Sequence, residues 1–184
     1  MTENEETEIQ AILRELRRLR DLEQIRGVLA RYSRAFDRLD IELAKTCYHA
    51  DAIDHHGAFY GLGTEFVELP KHRSEHWRYG HHQLGQSSID LDGDTAYVET
   101  YCIWHYQRYE PERDQERFGR IICRYIDRFE RRDEEWRIAF RRVALDGSHS
   151  DVVGEGWPQA ANFVPGRRAP DDEVYHPERL RKGV

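Results

Sequence analysis

Ser87-Ser88-Ile89-Asp90-Leu91-Asp92-Gly93-Asp94-Thr95-Ala96-Tyr97-Val98-Glu99-Thr100-Tyr101-Cys102-Ile103-Trp104-His105-Tyr106 reads as strand, tight turn and strand. Asp92-Gly93-Asp94 supplies the turn of a hairpin, and the residues after it are rich in the aromatic and β-branched types that suit a pleated, half-buried surface. Moving toward the C-terminus, Phe118 to Phe129 repeats this texture, and Trp136 to Leu145 repeats it after the polar break Arg131-Arg132-Asp133-Glu134. Three long strands of a meander follow. Toward the N-terminus, Ala52-Ile53-Asp54-His55-His56 reads as a further strand. Between it and the meander, Gly61 to Tyr79 carries Phe66, Val67, Leu69 and Trp77 with Pro70 interrupting, which predicts one or two short helices.

Ahead of all strands, apolar residues recur at Ile9, Ile12, Leu16, Leu19, Leu22, Ile25, Leu29, Tyr32 and Phe36, three or four apart throughout. That is the period of an amphipathic helix, with Thr7 and Gln10 as its expected capping box and Arg14, Arg17, Arg18 and Arg20 on a solvated face. Beyond Leu145 the chain turns to proline and glycine without a sustained period, which predicts a tail anchored by Trp157, Phe163, Val164 and Tyr175 while Arg179 to Lys182 sits in solvent. The expected organisation is an N-terminal helical extension over 1–21, one domain over 22–145 and a tail over 146–184 that covers the cavity or a neighbouring subunit. Helices followed by a strongly curved, largely antiparallel sheet make an α+β domain, with a cavity where the curvature opens.

Composition narrows the function. A length of 184 residues suits one sizeable core, and a net charge of −7 without a basic stripe argues against a nucleic-acid partner. No apolar run approaches the roughly 20 residues that span a bilayer. Met1–Gln10 is acidic where a signal peptide is basic and then apolar, so no membrane association and a cytoplasmic location are expected. Cys47, Cys102 and Cys123 are odd in number, widely spaced and set in apolar patterns, as reduced core thiols are. The first half of the helix lies ahead of the core and suits packing on another subunit, so a homo-oligomer, dimer or trimer, is expected.

Tyr32 and Asp37, at the end of the long helix, and His82, at the start of the sheet, form a proton-transfer set if they meet in one apolar pocket. An imidazole with an unperturbed pKa of about 6.5 works near neutral pH and becomes a better base when a carboxylate steadies its other nitrogen. His81 and His82 alternate, and the register with Ile89 selects His82 as the inward one. His55 and His56 alternate likewise, and one of the two points inward. In the strand after the turn, Tyr97, Glu99, Tyr101, Ile103 and His105 face one side and Ala96, Val98, Thr100, Cys102 and Trp104 the other. The set ending in His105 is read as the cavity face. The histidine spacings match no metal site, and neither a metal nor a cofactor is expected.

Tyr32-Ser-Arg-Ala-Phe-Asp37, His55-His56-Gly57, His82-Gln-Leu-Gly-Gln86 and the Arg-Arg-Asp-Glu-Glu-Trp136 hairpin, in this order and spacing, resemble SnoaL-like proteins. These belong to the nuclear transport factor 2-like superfamily of cone-shaped α+β barrels. The resemblance runs from about Leu22 to Leu145 and looks nearest to the branch holding bile acid 7α-dehydratase, hexachlorocyclohexane dehydrochlorinase and scytalone dehydratase. It implies His82 as catalytic base, Asp37 as its orienting carboxylate and Tyr32 as the group that helps the leaving group. His105 stands where the bile-acid enzyme has an acidic residue, and it is expected to take part in catalysis. His56, Tyr60, Tyr101, Trp104 and Arg141 are expected to contact the substrate, Arg141 through its match to a pocket position of the dehalogenating relative.

The implied activity is a cofactor-independent lyase, a dehydratase or related elimination with C–C cleavage as a variant, in aromatic compound catabolism. Its substrate would be a hydrophobic or aromatic small molecule: steroid-like, polyketide-like or a lignin-derived phenolic. An isomerase or cyclase on the same compounds, a non-catalytic binding module and a small accessory subunit of a ring-hydroxylating oxygenase are the alternatives.

Overall fold

A computed structural model of the chain describes residues 2–69, 75–156 and 158–182. Helix α1 (Glu3–Arg38) starts on a reciprocal cap. The Glu5 N–H donates to the Thr2 hydroxyl (3.4 Å), and the Thr2 N–H donates to the Glu5 carboxylate (2.7 Å). This cap stands ahead of the expected Thr7–Gln10 box, so the helix begins earlier. Residues 4–20 are exposed on every side; from Asp21 onward one face is covered, with Leu22, Ile25, Val28, Leu29, Tyr32 and Ala35 buried at helical spacing. Asp21 anchors that transition, accepting from Trp136 Nε1 at 3.0 Å and from Arg131 Nη1 at 3.2 Å. The helix stops at Leu39 in the left-handed region (φ 53°), and Asp40 caps the short α2 (Ile41–Lys45) through the Leu43 N–H (3.1 Å).

The strands are β1 (Tyr48–His56), β2 (Phe59–Leu62), β3 (Trp77–Asp92), β4 (Thr95–Glu110), β5 (Gln115–Arg132) and β6 (Glu135–Val152), with α3 (Gly63–Phe66) after β2. They form one mixed sheet in the order β2-β1-β6-β5-β4-β3, antiparallel except where β1 runs parallel to β6. The fold is α+β, as expected. The sheet is not closed into a barrel; its inner face packs on the buried face of α1, and Val98, Cys102, Tyr125, Phe129 and Ile138 meet Ile25, Leu29 and Tyr32 there. Two hairpins follow the turn chemistry. Gly93 takes φ 61° in the two-residue loop between β3 and β4, and Asp133 and Glu134 are both left-handed (φ 51° and 63°) between β5 and β6.

Three sequence expectations shift. Among the described residues, the stretch expected to carry one or two short helices holds the end of β2, the single turn of α3 and a helical Leu69, while Trp77 to Tyr79 already belongs to β3; Pro70 lies outside the described residues. Strand β6 runs on to Val152, past the expected start of the tail, because Arg117 to Ile122 of the long β5 continue to pair with it. The rest of the tail returns to the C-terminal end of α1. There Ala169 N–H donates to the Arg38 carbonyl (2.8 Å), Asp172 pairs with Arg38 (3.3 Å), and the Tyr175 hydroxyl donates to Asp40 (2.9 Å). Arg168 donates to the carbonyl of Trp77, tying the tail to the start of β3. Phe163 and Val164 are exposed, so among the expected anchors Tyr175 holds this contact; Trp157 lies outside the described residues. No described helix is long and apolar enough to cross a membrane.

Candidate active site

Asp37, in the last turn of α1, grips His82 twice. One carboxylate oxygen accepts from the His82 backbone N–H at 2.8 Å, and the other lies 2.6 Å from Nδ1. Both side chains are almost wholly buried, at 6% and 8% exposure. A carboxylate at Nδ1 holds the proton there and leaves Nε2 as the basic nitrogen. The imidazole is walled by rings: Trp104 stacks on it at 5.7 Å, while Phe36 (5.8 Å) and Tyr32 (6.3 Å) meet it edge-on. Trp77 stacks in turn on Trp104 at 5.0 Å, and Phe66 continues the wall from Phe36 at 5.7 Å.

A bulge decides which histidine enters this site. Leu84 pairs with Cys102 but Ser87 pairs with Thr100, so β3 carries one extra residue around Gly85 and Gln86. Ile89 and His82 are seven residues apart and both still face inward, whereas strict alternation from Ile89 reaches His81. His82 is opposite Trp104, and His81 is opposite His105.

That register corrects several expectations. The inward set of β4 is Ala96, Val98, Thr100, Cys102 and Trp104, so His105 lies on the outer face, stacked on Phe118 at 5.8 Å, away from the His82–Asp37 pair. Tyr101 shares that outer face and is 56% exposed. Tyr60 is also outside, 69% exposed and edge-on to His55 at 5.5 Å. Period-2 alternation permits one face only: on β4 the set beginning with the small Ala96 and Val98 packs against α1, and on β2 Phe59 packs on the core, which turns Tyr101, His105 and Tyr60 outward. His56 is the inward member of its pair and stacks on Phe66 at 4.3 Å, which borders the same aromatic wall. Trp104 forms part of that wall.

Arg141, expected to contact the substrate, is instead held in the core behind Tyr32. It is fully buried and binds Asp127 through two parallel hydrogen bonds (2.8 and 2.7 Å), with its guanidinium 4.3 Å from the Tyr32 ring and 4.0 Å from the Tyr125 ring. Its Nη1 has no partner among the described residues. Beside it the Tyr48 hydroxyl donates to the buried Asp54 at 2.6 Å, and the second Asp54 oxygen lies 3.6 Å from His56 Nδ1. Asp127, Asp54, Tyr48 and Trp77 were not singled out by sequence reasoning. The signal for Asp127 was available: it falls on the inward alternation of Cys123, Tyr125 and Phe129, where a charge demands a partner. Among the described residues no three or more His, Cys, Asp or Glu side chains gather as metal ligands. The three cysteines are free and buried.

Burial raises the pKa of the Tyr32 hydroxyl well above the ordinary tyrosine value, with the Arg141 guanidinium pulling partly the other way. Burial raises Tyr48 and Tyr125 in the same way. Tyr32 therefore keeps its proton at neutral pH. The sign for stability follows from linkage. Groups whose folded pKa exceeds the unfolded value of about 10 contribute stability that is complete below that pH and is lost as pH climbs toward the folded values. Alkaline titration should therefore show at least these three tyrosines ionising in one step, seen as tyrosinate absorbance, together with loss of the circular dichroism signal. A smooth titration of all ten tyrosines near pH 10 with the fold intact would contradict this burial.

Two surface clefts lie elsewhere. One, of about 370 Å³, is lined by Leu29, Leu84 and Ser87 at the β3 bulge, and the other, of about 500 Å³, by Ile41, Pro170 and Tyr175 under the tail. Neither is lined by His82 or Asp37, and neither contains a base with an orienting carboxylate.

Solved structures share this architecture. A protein from Novosphingobium aromaticivorans named as a scytalone dehydratase is 18% identical with a TM-score of 0.64, covering 78% of this chain and 95% of its own. A hexachlorocyclohexane dehydrochlorinase from Novosphingobium barchaimii is 16% identical with a TM-score of 0.64, covering 82% and 99%. A further protein from N. aromaticivorans, named as an aromatic ring hydroxylase, is 18% identical with a TM-score of 0.62, covering 73% and 94%. At these identities the likeness is one of fold. No curated protein matches the chain. The model of the SnoaL-like domain matches residues 17–142, more than half of the sequence, and the chain belongs to that family.

Proposed function

We propose that the protein is a cofactor-independent lyase that removes a proton from carbon in a hydrophobic or aromatic small molecule and expels a group from the neighbouring carbon. The observation that carries this reading is the buried His82–Asp37 pair at 2.6 Å, enclosed by aromatic rings and adjoining a tyrosine that burial keeps protonated. His82 Nε2 takes the proton from a carbon made acidic by a neighbouring carbonyl or aromatic group, and Asp37 stabilises the imidazolium that results. The C–H electron pair becomes the new double bond, and the bond to the leaving group breaks. When that group is hydroxide, Tyr32 supplies the proton that turns it into water, and the Arg141 guanidinium under the Tyr32 ring offsets the charge left on the phenolate. His82 then returns its proton to Tyr32. A departing halide needs no such proton, so dependence on Tyr32 reports what leaves.

The names of two structural neighbours describe loss of water and of hydrogen chloride, in keeping with this class. Rings lining the site on several sides suit a flat, apolar guest such as a steroid-like, polyketide-like or lignin-derived phenolic compound. The test is a thermal-shift screen over those compound classes, followed by mass analysis of the products from every stabilising compound. A product lighter by water, a hydrogen halide or a small carbonyl fragment is expected. A product of unchanged mass would mean isomerisation or cyclisation by the same groups. Turnover that requires an added electron donor and a large oxygenase subunit would overturn the lyase reading in favour of an accessory subunit.

A further inference from the structure

The apolar face of the first half of α1 is uncovered. Residues 4–20 project from the body, exposed on all sides, and cover about 26 Å at 1.5 Å per residue. They nevertheless carry Ile9, Ile12, Leu13, Leu16 and Leu19, exposed by between 41% and 56%, on one side of the helix. The spacing of Ile9, Ile12, Leu16 and Leu19 is three, four, three, the alternation of an interhelical seam rather than of a solvated arm. A helix of this length is marginal in water unless its apolar face is packed. The segment also lies mostly outside the part matched by the family model, which begins at residue 17, so the common fold does not account for it.

Charge along the same segment points to the occupant. Its first third is acidic, with Glu5, Glu6 and Glu8 and no base, and its last third is basic, with Arg14, Arg17, Arg18 and Arg20 against Glu15 alone. Two copies side by side in the same direction would set acid on acid and base on base. Two copies in opposite directions set the acidic end of each on the basic end of the other, and also oppose the helix dipoles. In a register centred between Ile12 and Leu13, Ile9 lies level with Leu16 of the other copy and Glu5 with Arg20, both pairs on the apolar side of the helix, so the apolar and charged matches occur together. We propose that this projecting half of α1 is a docking surface for the same helix of a second copy of the chain, packed antiparallel.

The full-length protein will then sediment as a dimer at micromolar concentration. Leu16→Glu, at an exposed position that leaves the body untouched, will weaken the dimer by roughly thirtyfold or more, the effect of losing a central contact. Arg17→Glu with Arg20→Glu will do the same without removing any apolar surface. Orientation is read by cross-linking single cysteines introduced at Glu6 and Leu19: a mixture of the two variants will cross-link 6 to 19, and the Leu19→Cys variant alone will not cross-link to itself. A monomer at all concentrations, an oligomer indifferent to Leu16→Glu, or efficient self-cross-linking at position 19 each overturns the proposal.

Discussion

His82→Gln will leave a folded protein whose turnover is lowered by about a thousandfold, within the range of roughly a hundredfold to ten-thousandfold that one positioned acid or base contributes. Glutamine fills most of the imidazole volume and keeps the backbone N–H that binds Asp37 at 2.8 Å, so the strand stays attached to the helix while the base is lost. Asp37→Asn tests the other half of the pair. An amide keeps an acceptor for the His82 backbone but removes the negative charge 2.6 Å from Nδ1, so the imidazolium formed on proton transfer loses its counter-charge. The expected loss is again large and falls on kcat more than on KM, since the carboxylate acts on the transferred proton rather than on the guest. His105→Ala should leave the rate within about twofold of the wild type, the ordinary consequence of a change on the outer face of the sheet, away from the reacting groups. Full activity in either dyad variant, with the fold verified by melting temperature, removes His82 and Asp37 from the mechanism; a large loss in the His105 variant returns the outer face to it.

Much of this arrangement could be read from residue order, and the failures share a cause. The stripe from Leu22 to Phe36 announced the buried face of α1, and Asp92-Gly93-Asp94 announced the turn, because helical and hairpin patterns are set by near neighbours. Facing across a long strand is not. A single extra residue near Gly85 inverts the parity of everything beyond it, so His82 is inward for a reason that alternation from Ile89 does not contain. On β4 the aromatic residues of both alternating sets, Tyr97 and Tyr101 against Trp104 and Tyr106, look equally suited to a cavity. Packing against α1 chose the set beginning with the small Ala96 and Val98, which lets the helix approach, and this turned Tyr101 and His105 outward. Arg141 shows a different limit. Its position in an apolar strand marks it as unusual, but only the fold shows that Asp127, fourteen residues earlier, takes its charge and keeps it from the guest.

The Arg141–Asp127 pair carries the largest expected effect on stability. Burial raises the pKa of the Asp127 carboxyl, and the Arg141 guanidinium opposes that rise through its charge and two hydrogen bonds. Removing one partner leaves the other as an uncompensated charge in the core. Arg141→Met and Asp127→Leu should therefore each cost about 3–5 kcal/mol, which in a chain of this size lowers the melting temperature by about 10 °C. The two losses should not add. Arg141→Met combined with Asp127→Leu replaces the whole pair by apolar side chains and should regain most of the stability, because Arg141 Nη1 lacks a partner among the described residues and the native pair does not recover its full desolvation cost. Urea unfolding of the two single variants and the double variant closes the cycle; single losses below 1 kcal/mol would show that the pair is not buried as described. The double variant also separates the two roles of Arg141. If the guanidinium serves only the fold, its activity should return with its stability. If it offsets charge on Tyr32 during loss of water, a stable double variant will still eliminate halide from a suitable substrate but will dehydrate slowly.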